Sequence, residues 1–200
     1  MNLIKGVKMK LVTRLASAVV LTLGLANAGE FTLDKAHTNV GFTVKHLMIT
    51  NVNGSFKTYD ANIDFDTAKK SFNSFSATVE TQSIDTGIEK RDDHLRSEDF
   101  FFSEMFPKMT FEMKSYEADG DEGKMKGDLT IRGITKPVTL EVEDIAMIKD
   151  FDGNNRVGFT LKGKINRMDY DLKWNKALEF GGVAVSDEVK IVVDVQAKEK

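Results

Sequence analysis

Apolar and polar residues alternate along almost the whole chain, and this period of two constrains the fold more than any other feature. Successive side chains of a β-strand point to opposite faces, so Val40-Gly41-Phe42-Thr43-Val44 has one apolar and one wet face. The pattern recurs at Phe75–Val79, Met109–Met113, Met125–Ile131, Val138–Val142, Val157–Ile165 and Val189–Val195. Asn53–Asp66 is the eighth candidate strand, and Phe56, Ile63 and Phe65 change parity around Tyr59-Asp60 as they would at a bulge. Asp119-Gly120-Asp121-Glu122-Gly123 and Asp150–Asn155 carry the turn residues of hairpin loops. Glycines inside the strands (Gly41, Gly54, Gly127, Gly158, Gly163) predict sharp bending. Eight strands of this kind satisfy their edges by closing on themselves, and a barrel of eight can hold one small ligand. The expected fold class is all-β, an eight-stranded antiparallel barrel.

One segment breaks the alternation. Ile84–Ser103 offers Asp85 or Thr86 as a helix N-cap and places Ile88 and Leu95 on one helical stripe. It predicts a short helix or helical loop crossing a barrel end. Phe100-Phe101-Phe102, which follows, is too apolar for a solvated linker. No fixed-period repeat and no Pro- or Ser-rich linker points to a second domain.

The N-terminus reads as a targeting signal. Lys5, Lys8, Lys10 and Arg14 lead into the uncharged run Leu15–Ala26, and Ala26-Asn27-Ala28 supplies a small-x-small cleavage pattern. The apolar run of 12 residues is shorter than the ~20 that span a bilayer, so stable membrane insertion is not expected. The expected organisation is a signal peptide over 1–28 and one barrel domain over 29–200, placed in the periplasm or secreted. Four of the 28 basic residues and none of the 31 acidic ones fall in the signal. The remaining 172 residues therefore carry 24 against 31, a formal −7 where the whole chain shows −3. That balance gives no reason to expect nucleic acid as a partner. The absence of cysteine excludes disulfide scaffolds, Cys-ligated zinc, iron–sulfur clusters, c-type haem, thiol catalysis and a lipid-modified N-terminal cysteine.

Six motifs stand out: Asp34-Lys35-Ala36-His37-Thr38, His46-Leu47-Met48, Val52-Asn53-Gly54-Ser55-Phe56, the block Arg91–Phe101, Pro107–Phe111, and Gly127–Val138 with its Leu-Thr-Ile-Arg-Gly-Ile-Thr-Lys-Pro core. Together they resemble the YceI-like family of secreted, lipocalin-like polyisoprenoid-binding proteins. The departures are Thr38, where the family often has Ser, and Asp171, where it often has Gly after an Arg-x-Asp-Tyr sequence. The resemblance implies a lipocalin-like barrel that takes up a long isoprenoid or fatty chain, with no catalysis and no cofactor. It also implies a possible homodimer.

Barrel-lining candidates are the inward residues Phe42, Val44, Phe75, Met109, Phe111, Met113, Leu129, Phe159 and Trp174. They can line a tunnel for a chain lipid, or simply fill the barrel as a core. His46, Arg91 and His94 are candidates for a polar head group at the entrance. Arg91 and His94 have an equally good structural account, pairing with a carboxylate and anchoring the helix. His37, His46 and His94 do not make a metal site, because His37 and His46 lie nine residues apart on what reads as one strand, roughly 30 Å at ~3.3 Å per residue. No catalytic motif is present, and an enzyme using His94 with Asp92 or Asp99 remains the alternative to a binding protein. A filled-barrel, stress-related interaction protein is the third reading.

Overall fold

The computed structural model describes residues 28–179 and 181–200, so the expected signal segment lies outside the described residues except for Ala28. The strands are β1 (Ala28–Leu33), β2 (Asn39–His46), β3 (Thr50–Phe56), β4 (Tyr59–Asp66), β5 (Ser71–Glu80), β6 (Ile84–Asp85), β7 (Lys108–Asp119), β8 (Glu122–Ile131), β9 (Ile134–Lys149), β10 (Asn155–Asn166) and β11 (Val185–Glu199). One helix, α1 (Glu89–Arg96), crosses between β6 and β7. The sheet runs β1-β4-β5-β7-β8-β9-β10-β11 and closes where β1 pairs with β11.

Two of the eight staves are bent. β1 pairs with Ala197–Glu199 of β11, and β2 takes over along Val185–Asp194. β3 and β4 likewise follow one another, pairing with β2 and β1. The eight staves are those the alternation predicts, but the parity change at Tyr59 is not a bulge in a continuous strand. The chain breaks just before, at Lys57-Thr58, and both amides donate to Ser83 Oγ at 3.2 and 3.0 Å. A bulge does occur in β9, where Asp144 takes a φ of 56° and returns Ile145 to the core.

The glycines do more than permit bending. A Cβ on Gly54 would stand 2.3 Å from Phe42 Cζ, and one on Gly127 2.5 Å from Phe111 Cζ. Each glycine gives an aromatic ring from the neighbouring strand a place to lie. The helix also starts later than expected. Its N-cap is Ile88, whose side chain is exposed, so Ile88 and Leu95 do not share a buried stripe. Asp85 and Thr86 serve other bonds: Asp85 Oδ1 accepts from Gly87 N, and Thr86 from the Arg91 guanidinium.

The two halves of the barrel are packed differently. Around β1, β4 and the β9–β10 hairpin, the interior is filled by Phe31, Phe65, Phe72, Val142, Val157 and Phe159. Phe72 meets the rings of Phe65, Phe75, Tyr116 and Phe159 at centroid distances of 4.9, 6.1, 5.0 and 4.9 Å. Toward α1 a second cluster of Phe56, Ile84, Phe100, Met109, Ile131, Tyr170 and Leu172 closes the end without filling the space beneath it.

Candidate functional site

That space is a cavity walled by the inner faces of β2, β5 and β7–β11, with Leu95, Phe100 and Phe101 from the helical crossing. With its open mouth it measures about 1250 Å³. Among the described residues Arg167 supplies its one polar side chain, since Thr110 turns its hydroxyl to the exposed face of its strand. Water reaches the wall along β2 and the first half of β11, where Val40, Phe42, Val44, Val185, Val189 and Ile191 are half-buried. An apolar void open to solvent along one wall can hold a hydrocarbon chain by removing that wall from water.

Of the lining residues expected from the sequence, Phe42, Val44, Phe75, Met109, Phe111 and Leu129 stand on the cavity wall. Met113 and Phe159 do not: both point inward but lie in the filled half, Phe159 against Phe72 and Phe75. Alternation tells which face a side chain takes and says nothing of its height along the barrel. Trp174 stands behind the wall, its ring 5.4 Å from that of Phe100. Its loop, Asp171–Ala184, contains only an isolated bridge between Ala177 and Val183, so no strand period applied to it.

The three head-group candidates are scattered. Arg91 donates from Nε to Thr86 Oγ1 at 2.7 Å and from Nη2 to the Thr86 carbonyl at 2.8 Å, which ties the helix to the turn before it. Buried Asp92 accepts from the Thr86 amide at 2.9 Å and completes the knot. Its structural partner is thus a threonine, not the carboxylate the sequence suggested. His94 Nε2 lies 2.9 Å from Asp99 Oδ2, with its ring edge-on to Phe100 and Trp174 at 5.1 and 4.9 Å. His94 is one side chain removed from the cavity. His46 is exposed at the end of β2, and His37 sits in the turn before β2 with Nδ1 3.1 Å from Asp34. Among the described residues no group of three His, Cys, Asp or Glu is placed to hold a metal.

Arg167 is the residue the sequence reasoning passed over. It is 3% exposed and stands on the cavity wall. Nε donates to Ser186 O at 2.9 Å, Nη1 to the carbonyls of Leu172 and Trp174, and Nη2 to Val185 O at 3.2 Å. Burial pushes its pKa below the ordinary arginine value, and Asp187, 3.5 Å away and largely in water, pulls it back up. The guanidinium stays charged at any physiological pH. Four of its five N–H donors are taken by carbonyls and the fifth faces Asp187, so what it offers the cavity is chiefly a positive field. It also clamps both ends of the loop Leu172–Val185. The signal was available: Arg167-Met168-Asp169-Tyr170 is the Arg-x-Asp-Tyr sequence noted above. Asp171, at the family's glycine position, has a φ of 62°, a conformation that glycine adopts freely and aspartate tolerates.

The model of the YceI-like domain matches residues 31–197. The chain belongs to the YceI-like family. The barrel is similar to a Campylobacter jejuni YceI protein of known structure, 44% identical with a TM-score of 0.70 over 84% of this chain and 97% of that one. UPF0312 protein SA2479 of Staphylococcus aureus is 43% identical over 162 residues, 80% of this YceI-like chain and 92% of its relative. A polyisoprenoid binding domain from Saccharophagus degradans shares the fold at 15% identity, with a TM-score of 0.62 over 85% of this chain and 98% of that one.

Proposed function

We propose that this protein is an exported binding or carrier protein that holds a long isoprenoid-type chain, such as a polyprenyl group or a quinone tail, in the hollow half of its barrel. The observation that carries this reading is the cavity itself: apolar on every side but for the Arg167 guanidinium, and open rather than filled by side chains. Each buried methylene contributes ~0.8 kcal/mol, so a few isoprene units offset the several kcal/mol lost on immobilisation. A related fold that is a polyisoprenoid binding domain makes the same chemistry reasonable here. The role is binding rather than catalysis, because His94 and Asp99 pair with each other beside Trp174, and the nearby Ser97 hydroxyl donates to the His94 carbonyl rather than to its imidazole. Export to the periplasm or beyond rests on the basic start, the apolar run and the small-x-small sequence of residues 1–28. In that compartment the barrel would shield a chain insoluble in water.

Organic extraction of natively purified protein followed by mass spectrometry tests the ligand. A co-purified prenyl or long-chain lipid is expected. Absence of any lipid, together with no uptake of a fluorescent prenyl probe, refutes the reading. N-terminal sequencing of protein from the periplasmic fraction tests export, with Gly29 expected as the first residue.

A further inference from the structure

The cavity end of the barrel carries two chain reversals side by side. The β2–β3 turn presents Leu47, Met48 and Ile49, which are 38, 50 and 74% exposed. Next to it the described residues of 176–184 form a small hairpin, with Leu178 N donating to Gly182 O at 3.1 Å and Ala184 N to Lys176 O at 2.9 Å. The two are joined: Leu47 N donates to Ala184 O at 2.8 Å, and a Cβ on Gly182 would lie 3.3 Å from Met48 Cγ. Three large apolar side chains at one protruding tip cost solubility, and Met48 and Ile49 keep half or more of their surface exposed.

Charge around the tips runs against the acidic balance of the whole. Lys45 and Lys190 lie near the tip on β2 and β11, Lys190 opposite Thr43, and Lys176 opens the second hairpin. Among the described residues none of these three has a carboxylate within salt-bridge distance, whereas most other lysines do. Exposed His46 stands beside them. Of the nearby carboxylates, Asp187 faces Arg167 and Glu188 faces Lys164, which leaves Glu179 alone in the second tip. The opposite end also exposes apolar side chains, Ile148 and Phe151, but they flank Asp150 and Asp152, acidic neighbours that the β2–β3 turn lacks.

We propose that the paired tips formed by Leu47–Ile49 and the Lys176–Ala184 hairpin are a docking surface for an anionic lipid bilayer, at which the barrel loads or releases its ligand. The proposal rests on the ligand reading above, since a chain that does not dissolve in water must be collected from a lipid phase. Apolar tips enter the headgroup boundary, unpaired lysines meet anionic headgroups, and the contact is peripheral. Half-buried Val44 and Val185 then stand just behind the tip, on the cavity wall.

Flotation with vesicles of equimolar phosphatidylglycerol and phosphatidylethanolamine tests this. The protein should float with these vesicles at low salt, and at least about tenfold less with phosphatidylcholine vesicles or at high salt. The double variant Met48→Asp/Ile49→Asp should lose at least about tenfold in vesicle binding. Phe151→Asp, at the other end, should lose nothing. Uptake of a prenyl probe delivered from ethanol without vesicles should be the same in all three proteins. Failure of the unaltered protein to float overturns the proposal, as does equal flotation of the double variant. A dimer that dissociates in the double variant also overturns it, by assigning the tip to a second copy. Loss of probe uptake by the unaltered protein strikes instead at the ligand reading, with flotation still deciding the bilayer surface.

Discussion

The filled and hollow halves of the barrel are made from the same alternating strands, and they differ only in what points inward. In the filled half, Phe31, Phe65, Phe72 and Phe159 meet edge to face and leave little room. In the hollow half, β5 contributes Ala77 and Val79, and β11 contributes Val185, Val189, Ile191 and Val193. The hollow half has rings too, Phe42, Phe75 and Phe111, but they lie along the wall, and the short aliphatic side chains of β5 and β11 leave the space between them unfilled. One half can therefore carry the stability while the other stays available to a ligand.

The comparison breaks first at Phe72. Phe72→Ala removes the ring that touches four others and should cost about 3–5 kcal/mol in urea unfolding. A cost below about 1 kcal/mol would show that the filled half is not the stabilising one. Arg167→Lys comes next: the charge is kept, the fork is lost, and buried carbonyls of Leu172 and Val185 lose donors. Thermal unfolding should register about 2–4 kcal/mol, and amides of the Leu172–Val185 loop should exchange faster. Gly54→Ala sharpens the contrast, because its Cβ would displace the Phe42 ring. A stability loss of about 1–3 kcal/mol should accompany roughly tenfold weaker prenyl-probe binding. Ile191→Val, on the cavity wall, should cost about 0.5 kcal/mol or less and alter probe affinity more than folding.

The smallest shift belongs to the ion cluster on the filled side. Arg156 donates to Asp150 at 2.8 Å and to Asp34 at 2.7 Å, and holds the Asp150 carboxyl far below the usual range. At Asp34 burial pushes upward, but His37 and Arg156 together bring the net shift below the ordinary value. A depressed carboxyl pKa stabilises the fold above the unfolded value near ~3.9 and loses that contribution as the pH falls further. The gap in melting temperature between the protein and Arg156→Gln should therefore be full at neutral pH and close below about pH 4.

Most of the architecture was legible because a period of two is a local property. Val40, Phe42 and Val44 declare their inner face without any knowledge of the partner strand. The height of a residue along the barrel is not local, and for that reason Phe159 and Met113 were expected on the cavity wall and are found in the filled half. Arg91 illustrates another limit. Its partner, Thr86, lies five residues away, but a threonine hydroxyl and carbonyl give no charge pattern to read. Arg167 escaped because its partners are backbone carbonyls of a loop with no periodicity.

Closure of the ring rests on three residue pairs, Phe31, Thr32 and Leu33 of the first described strand against Glu199, Lys198 and Ala197 of the last. Such pairs form late in folding, since the whole intervening chain must first be gathered. Until β11 is present the sheet has two open margins and no sealed interior. A chain threaded through a translocation pore from its N-terminus would remain slack for the whole passage and lock only on the far side. Under the proposed export the cavity would come into being at the same moment, and the barrel would enclose no lipid from the compartment in which it was made.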